Sequence, residues 1–457
     1  MERVREHWSS KLGFVLAAIG STVGLGLLWK FPYTIGQNGG GLFLLMYFAC
    51  LFLVGIPLFI GEIILGRHAN AAAIGAFEAG AGKSSSWVAG AWLGIAASFL
   101  IMSFYSVIAG WGMSYILMSL NGFYVNKSLV QVGEVYDKLS TSGSITMVWH
   151  FLFTAITMVI VMSGVKKGIE YWSKIMVRIL LILLLGLFLY STTLPGFGKA
   201  AKFVFMPVLE NFSFTSVLEA LGLALMTMSL GQGIMISYGS YLRTQDNVVR
   251  MSMIVATSVV IVAILAALTI FPIVFSFDIP PNSGPGLVFK TLPFLFAQLP
   301  GALVISTLFF TLFVFTALTS AIPLIEVCAT NMMEKFGLGR KKAVIWTSIA
   351  TFVFGIPSAL AGSMDLFPQW KAIFRLNFLD TMNEFSSVWV IPLAGLVTSL
   401  FIGWVLNREQ MKQEFCTGGG VVHQHLFGVW YLFLRYIVPI LIIVIMLQKS
   451  GLLLGGR

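Results

Sequence analysis

Eleven long, predominantly apolar runs recur along the chain, near 12–36, 41–66, 88–120, 146–163, 169–192, 213–241, 248–276, 301–334, 342–362, 386–406 and 426–447. About 20 apolar residues wound as a helix cross the ~30 Å hydrocarbon layer of a bilayer. Water cannot serve peptide groups in that layer, so a spanning segment must satisfy its own backbone, as a helix does. Composition agrees: a chain of 457 residues with 58% hydrophobic and 10% charged side chains has too little polar surface to clothe a soluble domain. The expectation is one all-α integral membrane domain over 1–457, with its longest loops at 121–145, 277–300 and 363–385. The middle loop is apolar and broken by proline and glycine, which predicts a lid packed back onto the protein.

A net charge of +10 would suit nucleic acid, but its placement does not. The basic residues crowd one set of loops, Lys166, Lys167, Arg243, Arg250, Lys341 and Lys342 among them. That bias puts the N-terminus in the cytoplasm and, after eleven spans, the C-terminus outside, in the plasma or inner membrane. No nucleic-acid partner is implied. Cys50, Cys328 and Cys416 have no paired spacing, so neither a disulfide framework nor a metal site is expected.

Two spans carry residues that weaken a helix. The first includes "AAIGSTVGLGLLWKFPY", with Gly20, Gly24 and Gly26 beside Ser21 and Thr22. The sixth includes "MTMSLGQGIMISYGSY", with Ser229, Gly231, Gln232 and Gly233 at its centre. Each interior glycine costs about 1 kcal/mol relative to alanine. Small residues can serve close helix packing. Two such interruptions opening two sets of five spans, the second set inverted, point instead to a transporter's central site. Freed carbonyls can replace the water of an ion, and half-helix N-termini favour negative charge.

The motifs "REHWSSKLGFVLAAIGSTVGLGLLWKFPY", "NGGGLFLLMY", "GIPLFIGE", "SLGQGIMISYGSYL", "GPGLVFKTLP" and "TALTSAIPLIE" resemble the neurotransmitter:sodium symporter family, above all its bacterial amino-acid transporters of the LeuT fold. The resemblance runs in order from about residue 5 to about residue 445. It implies a 5+5 inverted repeat, 11–192 and 213–407, with discontinuous helices one and six, and an eleventh helix at 426–447. It implies sodium-coupled import of an amino acid or related small amine by alternating access. The solute, any chloride requirement and the oligomeric state are left open.

Family roles map onto matching positions. Sodium would be held by the carbonyls of Gly20, Val23 and Thr316 and the hydroxyls of Thr319 and Ser320. The last three residues share one helix face at i, i+3 and i+4, and a hard cation wants several oxygens; without the resemblance they would be read as bonding back to their own helix. The family's second sodium site would need side-chain oxygens at Leu27 and Val259, which have none, so one sodium per cycle is expected. The solute would lie against Thr22, Gly24, Gly26 and Tyr105 by its carboxylate, with Ile101, Met226, Ser229, Gln232, Ser320 and Leu324 as the wall. Gln232 either marks a substrate with a polar side group or serves the unwound backbone.

Glu62, an intramembrane carboxylate, is expected to accept hydrogen bonds from amides freed at the breaks, with proton carriage as the alternative. Arg5 and Glu334 match an inner gate capped by Trp8. At the outer gate Lys30 stands where the family has arginine, with Asp380 or Glu384 as acids; lysine offers no two-pronged clamp, so this gate is expected to be loose. Proton-coupled or sodium-independent exchange on the same fold is the main alternative. A channel or a membrane enzyme is disfavoured, since the histidines form no HExxH and no Ser–His–Asp grouping is evident.

Overall fold

The computed structural model describes residues 6–207, 213–278, 284–363 and 369–449. Among the described residues, nine helices are long and apolar enough to cross a membrane: Gly41–Ala69, Val88–Leu120, Gly143–Met162, Val165–Ser191, Val248–Ser276, Ala302–Phe336, Arg340–Ala359, Phe378–Val405 and Val421–Lys449. A tenth span is a pair, Lys11–Thr22 and Gly26–Gln37, bent by 42°. The remaining run of the sequence count is span six, Phe214–Thr227 followed by Ile234–Gly239. Neither half is long enough to cross alone, because the helix stops in mid-membrane.

Burial sorts the spans into centre and periphery. In Val88–Leu120 (span three), 72% of the most apolar stretch is buried inside the protein, against 33% in Val165–Ser191 (span five), whose outer face is free for lipid. Gly41–Ala69 (span two) and the second half of span six cross closely. A Cβ on Gly66 would run into the Ile236 carbonyl, and one on Gly239 into the Ile63 carbonyl. Small residues at reciprocal positions let two backbones touch, which is how helices associate where no hydrophobic force drives them together.

Two boundaries differ from the sequence reading. Span ten starts at Phe378, eight residues before the expected 386, because Asn377 caps it by accepting the Asp380 amide at 2.8 Å. Its first turns are too polar to score as a span, yet they are helical. Span eleven likewise starts at Val421 rather than 426, its first turns carrying His423 and His425. The apolar loop after span seven does pack inward. Leu287, Val288, Phe289, Leu292, Leu295 and Phe296 are buried, and the Tyr115 hydroxyl donates to the Phe289 carbonyl at 2.7 Å.

The Gly66–Ile236 crossing predicts that Gly66→Ala will lower the thermal midpoint in detergent, by overpacking worth about 1–3 kcal/mol. Gly186→Ala, where the added methyl meets nothing within 4 Å, will leave it equal or higher.

Candidate functional site

The first break can be followed bond by bond. Helix Lys11–Thr22 ends where Val23 turns to ψ 66°, and the Thr22 hydroxyl bonds back to the carbonyls of Ala18 and Ile19, both at 3.0 Å. In an unbroken helix the Ser21 carbonyl would accept the Leu25 amide. Here the Ser21 carbonyl accepts the hydroxyls of Ser229 and Ser320, each at 3.0 Å, and the Leu25 amide donates to the Tyr105 hydroxyl at 3.2 Å. Ser320 also reaches the Gly20 carbonyl at 3.2 Å. Three other spans therefore supply partners for one turn of span one. The Gly24 N–H finds no acceptor among the described residues.

The second break uses left-handed backbone. Ser229, Gly231 and Gly233 have φ of 53°, 66° and 69°. Glycine takes that conformation freely, whereas at Ser229 it costs roughly 1–2 kcal/mol. Two side chains hold the loop. Glu62 accepts the Gly231 amide at 2.8 Å, and Ser98 donates to the Gln232 carbonyl at 2.7 Å. Glu62 is fully buried and its second oxygen has no partner among the described residues.

Between the breaks lies a cavity of about 40 Å³. Thr22, Gly24, Gly26, Ile101, Tyr105, Met226, Ser229, Gln232, Ser320 and Leu324 all line it, together with Ser21, Leu25, Thr227 and Ile234. Beside it Gly20, Thr316, Thr319 and Ser320 converge. A Cβ on Gly20 would stand 2.9 Å from the Thr319 Cβ, and the Thr319 hydroxyl donates to the Thr316 carbonyl at 3.0 Å. The hydroxyls of Thr319 and Ser320 give their protons to carbonyls, which leaves their lone pairs for a cation. Neutral oxygens of this kind suit a hard ion. Around Thr227 the chemistry is different. The Thr227 hydroxyl is tied to the Tyr47 hydroxyl at 2.8 Å and to the Leu223 carbonyl at 2.9 Å; Leu27 and Val259, the positions expected to lack side-chain oxygens, are both buried.

The two ends of the pathway are unlike. At one end Trp8 is buried: its backbone N–H meets the Tyr241 carbonyl at 3.1 Å, and its indole donates to the Tyr238 carbonyl at 3.0 Å. Glu334 accepts the Ala72 amide at 2.9 Å; Arg5 lies outside the described residues. Beneath Trp8 is a pair that sequence reading missed. Arg340 donates to Glu326 at 2.6 Å, and Glu326 also accepts from Tyr241 at 2.6 Å and Thr330 at 3.0 Å. Glu170, also missed, accepts the Ser9 amide at 2.7 Å and pairs with Lys174 at 2.6 Å.

At the other end a cavity of about 200 Å³ is lined by Lys30, Glu219, Lys449 and Met226, the last shared with the central cavity. No ion pair joins Lys30 to Asp380 among the described residues; Asp380 instead accepts from the Asn377 amide group at 2.8 Å. Glu219, held by Asn38 at 2.9 Å, is the acid that shares the Lys30 cavity. As an intramembrane carboxylate it answered to the same test that singled out Glu62.

Comparison with known proteins decides the family. The family model described as the sodium:neurotransmitter symporter family matches residues 5–125 and 121–451. The chain belongs to that family. The sodium-dependent transporter YhdH of Bacillus subtilis, itself uncharacterized, is 38% identical over 448 residues, 98% of each chain. An uncharacterized sodium-dependent transporter of Haemophilus influenzae is 31% identical, covering 97% of this chain and 98% of its own. Among solved structures, that of MhsT in complex with L-phenylalanine aligns with a TM-score of 0.89 and 37% identity, over 97% of this chain and 100% of MhsT. The symporter thus has the LeuT fold: two inverted sets of five spans, the first of each set broken, and an eleventh span.

The buried Glu326–Arg340 pair gives a test of the closed end. Arg340→Met should cost about 3–5 kcal/mol, since it strands a charge on Glu326. Adding Glu326→Gln should recover part of that loss, read as the thermal midpoint of the purified protein.

Proposed function

We propose that this symporter imports an amino acid or related small amine together with a single sodium ion. The observation that carries the reading is the gathering of both helix breaks, the converging oxygens and the small cavity at one place in mid-membrane. The ion takes the carbonyls of Gly20, Val23 and Thr316 and the hydroxyls of Thr319 and Ser320. The solute's carboxylate meets the Gly24 backbone and the Tyr105 hydroxyl, which has its own proton to give. Ser320 borders both ligands: a Cβ on Gly24 would stand 2.5 Å from its hydroxyl, and that hydroxyl touches the Gly20 and Ser21 carbonyls. Ion and solute binding are coupled through that residue and through the backbone turn they share.

The single ion is supported by the buried, oxygen-free side chains of Leu27 and Val259, where the family's second site would need ligands. It is enough for scavenging. A charge moving down ~100 mV gains about 2.3 kcal/mol, and a tenfold sodium gradient adds about 1.4 kcal/mol. Their sum supports roughly a few-hundredfold accumulation of a neutral solute. With the N-terminus in the cytoplasm, the Lys30 cavity faces outward and Trp8 with the Glu326–Arg340 pair seals the inner side. Alternating access then means closing Met226 and Lys30 over the solute while the inner seal parts.

Uptake into proteoliposomes should vanish when sodium is replaced by choline, and sodium and solute fluxes should stand at 1:1. A ratio of 2:1 would refute the single site, and undiminished uptake in choline would refute sodium coupling. Ser320→Ala should raise the sodium concentration for half-maximal uptake at least about tenfold, the worth of one hydrogen-bonding ligand.

A further inference from the structure

The polar side chains of the central cavity are nearly all spoken for. The hydroxyl of Ser21 donates to Ser229 at 3.1 Å, and Ser229 donates in turn to the Ser21 carbonyl. Those of Thr22, Thr227 and Ser320 bond to backbone carbonyls of their own or a neighbouring span. Gln232 is different. It lines the cavity, is 95% buried by its 5% exposure, and its carboxamide makes no hydrogen bond among the described residues. Nor does that carboxamide serve the broken backbone: the Gln232 carbonyl is served by Ser98, and the Gly231 amide by Glu62.

A buried carboxamide brings two donors and one acceptor oxygen and is seldom left unpaired. Any water that serves it in the empty cavity leaves when the cargo enters, and the cargo must then supply the partner. The carboxylate end of the site lies at Gly24 and Tyr105 on spans one and three, whereas Gln232 sits on the span-six loop against Ile234. The rest of the lining there, Ile101, Met226 and Leu324, is apolar.

Resting on the amino-acid reading above, we infer that Gln232 is the specificity-determining residue and that the substrate is an α-amino acid with a hydroxyl or carboxamide on its side chain. The site discriminates by pairing: a substrate that lacks the polar group leaves the Gln232 amide buried and unsatisfied, which penalises it although it fits.

Two isosteric pairs test this on the full-length protein in proteoliposomes under an inward sodium gradient: L-serine against L-2-aminobutyrate, and L-asparagine against L-leucine. In competition for sodium-driven uptake of labelled serine or asparagine, the polar member should win at least one pair by about 10- to 100-fold, the range set by one unpaired buried group. Gln232→Leu and Gln232→Met should bring that ratio to within about threefold of unity, by weakening the polar member and relieving the apolar one. Equal or better competition by the apolar member of both pairs, with sodium-driven uptake of leucine intact, overturns the assignment and leaves the transport reading standing. A ratio that survives in a Gln232 variant also overturns it. Absence of sodium-driven uptake across all the proteinogenic amino acids removes the transport reading, and this one with it. Should both variants fail to fold, the wild-type pairs decide alone.

Discussion

The whole site hangs on one peptide carbonyl, that of Ser21, being turned away from its own helix. Its regular partner, the Leu25 amide, goes to Tyr105, and its place is taken by Ser229 and Ser320. A lost helical bond facing lipid would cost several kcal/mol. The loss is offset here because spans three, six and eight each lend a hydroxyl. That exchange fixes the relative positions of four spans. It also leaves a pocket in which the backbone of the broken turn stands beside the side chains of Ile101, Tyr105, Met226, Gln232 and Leu324. Glycines at 20, 24 and 231 follow from it: a methyl at each would meet Thr319, Ser320 or the Ile391 carbonyl.

Charge is distributed to suit a pathway with unlike ends. The Trp8 end is closed by aromatic packing, with Trp8 edge-on to Tyr238 at 5.2 Å, and by acids that each collect several donors. Glu326 is buried with Arg340, Tyr241 and Thr330 around it, so opening that end must break hydrogen bonds to a charge, about 1.5–3 kcal/mol each. The Lys30 end has charges facing a cavity and no bidentate clamp. Barriers at the two ends are thus built from different chemistry. Met226 lines both the Lys30 cavity and the central one.

Much of this was legible in the residues. Glycine and serine inside apolar runs marked both breaks, since such residues are costly there without a purpose. The ten residues assigned to the pocket line one cavity, because the motif order carries the inverted fold with it. Other features left no local trace. Glu326 and Arg340 are fourteen positions apart on successive helices, and Glu170 meets Ser9 from 161 positions away, so no spacing rule could join them. The start of span ten was hidden because Asp380, Asn383 and Glu384 make its first turns look like a loop. The Lys30–Glu219 cavity was missed for a different reason: an acid for Lys30 was sought on span ten, while the acid lining its cavity, Glu219, lies on span six.

Hydrogen exchange over residues 20–27 and 228–234, followed by mass spectrometry in detergent, addresses the central claim most directly. The account predicts that both segments slow together when sodium and a transported amino acid are added. Exchange in both segments unchanged by sodium and amino acid would mean that neither ligand binds at the breaks, and would contradict it.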